Sequence, residues 1–345
     1  MAQTGVRSRI GRRSGIMDVA TAAGVSHITV SRVINNRASV RADTRERVLA
    51  AMRRLDYRPN HAARALVTGR SQTIGVICYN TALYGPAAAL LGLEQAAREA
   101  GYFVTILGLK TLDAGSVEEA VDRLRQQAVS GLIVISPQAA VSSAFDRLPV
   151  DLPTIAIWGH RRSRIPVVAA GDEAGAGLAT RHLLGLRHRT VWHVAGPAGR
   201  VGAEDRLKGW RAALREAGVP APPVLRGDWS AESGYAAGKV LAAEAEVTSV
   251  FVANDQMALG VLRAFNEVGR SVPRSVSVVG FDDIPEAAYY TPPLTTIRQD
   301  FNALGRKSVA LLLRSMGEGD GNDPAHVTLP VELVIRQSTA PPRVR

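Results

Sequence analysis

The sequence predicts an α/β protein: an N-terminal all-α helix-turn-helix head, then a core of two doubly wound parallel-sheet subdomains. Three observations predict it. Basic charge is concentrated in the first 72 residues. Within them, a glycine turn joins two short segments with helical apolar spacing. From Gln72 onward, short β-branched runs alternate with amphipathic helical stretches.

The chain has 345 residues and a net charge of +11. Residues 1–72 hold 14 Arg, no Lys and four acids (Asp18, Asp43, Glu46, Asp56), a net +10. The rest of the chain is left nearly neutral. Basic charge gathered on one small module is the electrostatic footprint of nucleic-acid binding; a solvated basic tail is the plain alternative. No apolar run is long enough to span a bilayer. The basic start, Met1 to Gly15, lacks the apolar stretch of a secretory signal. The single cysteine, Cys78, excludes an intrachain disulfide, and a cytoplasmic, nucleoid-associated protein is expected.

In the head, Val19, Ala20 and Ala23 fall at helical spacing, with Asp18 in the first turn to complement the helix dipole. Gly24 ends that helix, because glycine tolerates the left-handed conformation of a tight turn. Ser26 is an N-cap for a second helix, in which Val30 and Val33 face the core. His27, Ile28, Thr29, Ser31 and Arg32 are left near its start and outer face, where a helix-turn-helix reaches base edges. A third helix spans Ala42–Leu55, with Val48, Leu49, Met52 and Leu55 repeating. Pro59 breaks the chain. Asn60–Leu66 makes two turns at most, stable only against a partner, and Gly69-Arg70-Ser71 reads as a linker.

Strands are expected at Ile74–Cys78, Phe103–Leu107, Gly131–Ser136, Thr154–Ile157, Val167–Ala170, Val191–Ala195, Val224–Gly227, Ser249–Ala253, Val276–Gly280 and Val327–Ile335. Helices are expected at Leu90–Ala100, Val117–Gln127, Ala174–Leu184, Glu204–Ala217, Ser233–Ala243, Gln256–Val268 and Ala303–Ser315. Such alternation argues right-handed βαβ units and parallel sheets. There are too many strands for one open sheet, so two halves enclosing a cleft are expected.

Ligands in such sheets bind beyond the carboxyl ends of the strands. Those ends carry Asn254-Asp255, Phe281-Asp282-Asp283 and Asp228-Trp229, with Arg206 on the helix after a fourth strand. Asp and Arg are bidentate hydrogen-bonding groups and Trp229 offers a flat apolar face, a set suited to a polyhydroxylated ring. Turn or helix-cap roles are the plain alternative for each residue alone. Enzyme signatures are poor. Gly175-x-Gly177-x-x-Thr180 lacks the third glycine of a dinucleotide fingerprint. A nucleophile elbow, a P-loop and a zinc-protease motif are absent from the sequence. His182 and His188 read as surface residues. No catalysis, metal or cofactor is expected.

With these motifs together, the chain resembles the LacI/GalR family over essentially its whole length, its lactose-repressor branch most of all. The resemblance rests on Asp18-Val19-Ala20, Ala23-Gly24-Val25-Ser26, Thr29-Val30-Ser31-Arg32-Val33, Tyr57-Arg58-Pro59-Asn60, Gly227-Asp228-Trp229, Val252-Ala253-Asn254-Asp255 and Tyr290-Thr291-Pro292-Pro293-Leu294. It implies a periplasmic-binding-protein-like core and a homodimer on a pseudo-palindromic double-stranded operator. It implies DNA contacts by Ser26, His27, Ile28, Thr29, Ser31, Arg32, Asn35, Asn60 and Ala63. Leu66 matches the hinge-helix leucine that wedges into the minor groove. It places a sugar or glycoside effector among Leu83, Pro86, Ile135, Trp158, Arg206, Trp229, Asn254, Asp282, Gln299 and Phe301. A nucleoside or purine corepressor is the alternative, and a sugar-binding protein without a DNA role a remoter one.

The implied domains are a head at 1–58, a hinge helix and linker at 59–71, one core subdomain at 72–170 and 298–326, and the other at 171–297 and 327–345. Departures from the family pattern carry expectations too. His27-Ile28 replaces Tyr-Gln at the start of the recognition helix, so a different half-site is expected. Trp158 and Ile135 replace two polar sugar contacts. Arg41 replaces a capping serine at the third helix, with Asp43 placed to compensate. Leucine heptads do not follow Ala340-Pro341-Pro342, so a dimer rather than a tetramer is expected.

Overall fold

The computed structural model describes residues 14–34, 40–58, 71–79, 81–109, 111, 113–135, 151–159, 163–318 and 326–342. The chain divides between Ser71 and Gln72 into two compact units. Of the expected DNA contacts, Asn35, Asn60, Ala63 and Leu66 lie outside the described residues, as does most of the 59–71 segment.

The head unit contains α1 (Ile16–Ala23), α2 (His27–Ile34) and α3 (Ala42–Arg54). Val19, Ala20, Ala23, Val30, Val33, Val48 and Ala51 make one buried cluster, with Met52 and Leu55 partly buried against it. Leu49, expected inside, is turned outward at 38% exposure. Asp18 accepts the Gly15 N–H at 2.7 Å, closing the start of α1. Gly24 ends α1 in the left-handed region, at φ 64° and ψ 40°. Ser26 Oγ accepts the Thr29 N–H at 3.2 Å and so caps α2, a bond worth about 1 kcal/mol at such positions. Arg41 precedes α3 without a side-chain cap, and Asp43 lies in its first turn.

The second unit has two parallel sheets. The first runs β11-β5-β4-β3-β1-β2, from β1 (Thr73–Cys78), β2 (Phe103–Gly108), β3 (Gly131–Ile135), β4 (Thr154–Ile157), β5 (Val167–Ala170) and β11 (His326–Leu329). Helices α4 (Tyr84–Glu99) and α5 (Ala114–Gln126) belong to this half. The second sheet runs β7-β6-β8-β9, from β6 (Trp192–Ala195), β7 (Leu225–Arg226), β8 (Ser249–Val252) and β9 (Ser277–Val279). Its helices are α6 (Asp172–Gly185), α7 (Val201–Glu216), α8 (Ala231–Ala243) and α9 (Asp255–Glu267). An antiparallel pair, β10 (Thr296–Gln299) with β12 (Val331–Val334), completes the unit together with α10 (Phe301–Leu313).

All five residues of β3 and all four of β4 and of β8 are buried. This is why they read as continuous apolar runs rather than as alternation. Strand order reverses between β1 and β3 in one sheet and between β6 and β8 in the other. Ligands collect at such switch points.

Four expectations need correction. The strand expected over Val327–Ile335 is two, separated at Pro330, which has no N–H to continue a ladder. Residues 326–329 pair in parallel with β5, so Val327–Leu329 belong with the first sheet rather than the second half. Helices α4 and α6 begin earlier than expected, at Tyr84 and Asp172. His188 is buried, not superficial: its ring meets Thr248 Oγ1 at 3.0 Å, Ser277 Oγ at 3.1 Å and the Ala340 carbonyl at 3.0 Å. It pins the final segment to the second sheet.

Candidate functional site

The carboxyl ends of both sheets converge on one cleft. Its wall includes Leu83, Tyr84 and Pro86 at the start of α4, Trp158 after β4, and Phe301 at the start of α10. From the other half come Asp172, Arg200, Gly202, Arg206, Trp229, Asn254, Gln256 and Asp282. Eight of the ten expected effector residues are therefore brought together. Ile135 is not on this wall; it is fully buried in the core of the first sheet, because the β3 register turns it inward. Gln299 stands behind the wall, where its Nε2–H donates to Asp282 Oδ1 at 2.7 Å. Its Oε1 is buried without a hydrogen-bond partner among the described residues.

Arg206 is the electrostatic centre. It projects from α7 and is 7% exposed. Nε donates to Asp172 Oδ1 at 2.7 Å and Nη2 to Asp282 Oδ1 at 3.2 Å, while Nη1 donates to the Ala253 carbonyl. The guanidinium carbon lies 3.9 Å from the Phe281 ring centroid and 5.5 Å from that of Trp229. The plane is thus fixed by three acceptors and two rings. Burial pushes the Asp282 carboxyl up to about 6, against the pull of Arg206. Burial also raises Asp172.

Asn254 is buried at the cleft wall and already committed. Its Oδ1 accepts the Met257 N–H at 3.0 Å, capping α9, and its Nδ2–H reaches the Trp229 carbonyl at 3.1 Å. It therefore holds the loop that carries the indole. Asp255, read from sequence with Asn254, does not face the cleft. It is fully buried, accepting from Thr296 Oγ1 at 2.6 Å and the Ile284 N–H at 2.9 Å. Asp283 likewise serves structure, bridging Arg298 and Arg336 at 2.6 Å each. Asp228 forms a turn with Ser230.

The first-sheet wall is aromatic. Tyr84 and Phe301 meet edge to face at 5.6 Å, and Trp158 stands 6.1 Å from Phe301. The remaining cavity is about 80 Å³, small beside the roughly 300–1,000 Å³ of ordinary ligand sites. Backbone strain gathers here. Of seven described non-glycine residues with positive φ, three line the cleft: Trp158 at 59°, Trp229 at 80° and Asp282 at 105°. Each such conformation costs on the order of 1–3 kcal/mol and persists where the surroundings enforce it, commonly at ligand sites.

The head presents a second surface. Val30 and Val33 of α2 are buried, while Ser26, His27, Ile28 and Arg32 are exposed. Thr29 and Ser31 are half-buried. Ser26 Oγ and Thr29 Oγ1 lie 3.0 Å apart. Among the described residues no group of three or more His, Cys, Asp or Glu side chains could hold a metal ion, and no helix is long and apolar enough to cross a membrane.

Residues 15–60 match the profile of bacterial regulatory proteins of the lacI family, and residues 180–339 that of a periplasmic binding protein-like domain. The chain is 38% identical over 336 residues to the lactose operon repressor of Escherichia coli (strain K12), covering 96% of this chain and 92% of that one. It is 32% identical over 329 residues to the transcriptional repressor PurR of Pasteurella multocida (strain Pm70), covering 94% and 98%. In structure it matches the lac repressor dimer bound to operator and the anti-inducer ONPF, at TM-score 0.84 and 37% identity, with 95% of this chain and all of that one covered. It also matches the transcriptional regulator CelR in complex with cellobiose, at TM-score 0.70 and 31% identity, covering 94% and 100%.

Proposed function

This chain belongs to the lacI family of bacterial regulatory proteins, and from that premise we propose that it is a DNA-binding transcriptional repressor switched by a sugar or glycoside. It acts in the cytoplasm as a homodimer on a pseudo-palindromic operator, with α2 of each head in the major groove. The effector occupies the cleft described above. The observation that carries this reading is Arg206 fixed between Asp172 and Asp282 and against the Trp229 ring. Carboxylates that accept from hydroxyls, beside an indole that packs on C–H faces, suit a pyranose ring.

The cleft lies between the two sheets, so a ligand that parts its walls changes their relative angle. That angle is the two-state element the effector biases, through the hinge segment, with a coupling typically of about 1–3 kcal/mol. DNA contacts by Ser26, His27, Ile28, Thr29, Ser31, Arg32, Asn35, Asn60, Ala63 and Leu66 belong to this reading. A purine corepressor is the second reading, favoured by the likeness to PurR and by the stacking face of Trp229.

Gel shifts test both, using an operator selected from random duplexes and a panel of mono- and disaccharides, nucleosides and purines. Release of the operator by a saccharide is expected. Tighter binding with a purine establishes the second reading instead. Failure to retain any preferred sequence overturns the regulator assignment.

A further inference from the structure

Ile28 is an apolar side chain on the polar face of a basic module. It is 52% exposed. It is not part of the cluster of buried and partly buried side chains that holds the head together. Its position on α2 is not marginal. At about 100° per residue, Ile28 sits about 170° from the mean direction of the buried Val30 and Val33. It therefore projects almost directly opposite the core, at the crest of the outer face, in the first turn of the helix and one residue after His27. Within the same turn, the Ser26 hydroxyl accepts the Thr29 N–H and touches the Thr29 hydroxyl, so these two polar side chains are engaged in capping.

An isoleucine cannot donate or accept a hydrogen bond, so it cannot read the donor and acceptor pattern of a base pair. The apolar group that projects into the major groove is the C5-methyl of thymine. A β-branched side chain in a helix holds essentially one χ1 rotamer. Ile28 thus offers its methyl groups at little further entropic cost. We propose that Ile28 selects a thymine in each operator half-site by packing on its C5-methyl group. This deepens the reading of α2 as the base-reading helix and rests on it.

The test uses the full chain. Duplexes are enriched from a random pool, and each thymine of the consensus is replaced in turn by deoxyuridine, which removes only the methyl. One symmetry-related pair of thymines is expected to respond. Loss of a buried methyl weakens binding about fourfold per half-site, and about fifteenfold when both are replaced. Ile28→Ala, at an exposed position, is expected to keep the fold but to bind thymine and uracil duplexes alike, while Ile28→Val keeps the discrimination. If a sequence is enriched but every uracil replacement is neutral, or Ile28→Ala retains the discrimination, the thymine contact is overturned and the regulator reading survives. If no sequence is enriched, both fall together.

Discussion

Asp282 accepts the Arg206 Nη2–H at 3.2 Å while standing on a left-handed backbone at φ 105°. The strained residue and the buried cation hold each other at the mouth of the second sheet. Asp172 completes the arrangement from the start of α6, at 2.7 Å. Removing one partner of such a buried pair generally costs about 3–5 kcal/mol, because the other charge is left uncompensated.

That pairing has a pH signature. Burial lifts the Asp282 carboxyl to about 6, whereas an unfolded chain releases that proton near 4. Between these values the folded chain holds a proton that the unfolded chain has lost, so stability falls as pH rises from about 4 to about 6 and levels above. Asp172 and Asp255 are raised as well and add slopes of the same sign. Asp282→Asn is expected to flatten the curve, removing at most on the order of 2–3 kcal/mol of pH dependence. Urea unfolding at pH 4.5 and pH 7 measures it. Parallel curves for the two proteins would contradict the buried titration.

Trp229 owes its place to Gly196. A Cβ at Gly196 would overlap the six-membered part of the indole. Gly196→Ala is therefore expected to swing the ring away from Arg206, at a cost of about 1–3 kcal/mol in stability. Effector affinity should drop about tenfold or more, with operator binding in the absence of effector retained. Indole fluorescence reports the displacement, and effector-titrated gel shifts report the affinity. An unchanged effector response would show that Trp229 does not touch the ligand.

Legibility from sequence followed the loops. Trp229, Asn254 and Asp282 are readable because each lies within three residues of the carboxyl end of a strand, whereas Arg206 stands on the helix that follows β6, eleven residues past Ala195. Asp172 and Tyr84 escape a sequence reading because the first periodic apolar residue of a helix stands after its true start. Asp172 opens α6 two residues before the expected Ala174, and Tyr84 opens α4 six residues before Leu90. Arg200 and Gln256, both on the cleft wall, carry no pattern that separates them from surface polar residues. Ile135 lies in the first-sheet core rather than on the cleft wall, because likeness to a family aligns positions but does not report which face of a buried strand they take. Strain at Trp158 and Trp229 was invisible, since only glycine advertises a positive φ.

In the head, the turn between α1 and α2 isolates a backbone effect. Gly24 adopts φ 64°, yet a Cβ there would meet nothing within 4 Å. Gly24→Ala is thus expected to cost about 1–2 kcal/mol from left-handed strain alone. Gly24→Asn should cost less, because asparagine enters that region readily. Hydrogen exchange of the α1 and α2 amides in the full-length chain measures both. Equal costs for Ala and Asn would place the effect elsewhere than in the backbone.

Trp158 is the residue on which effector choice should turn. It follows β4, lies at φ 59°, is 6% exposed and packs near Phe301. Trp158→Asn exchanges a strained aromatic for a side chain that accepts this backbone. Truncating a buried aromatic typically costs about 3–5 kcal/mol, and relief of the left-handed strain returns roughly 1–2 kcal/mol. The net loss expected is therefore about 1–4 kcal/mol, which the second unit should survive. The cavity widens on the aromatic wall and gains an amide that both donates and accepts. Affinity should accordingly move toward saccharides with a further hydroxyl on that side, and away from those with an apolar substituent there. Thermal shifts of the wild type and the variant against one saccharide panel decide it. The same ranking of ligands for both proteins would remove Trp158 from the determinants of specificity.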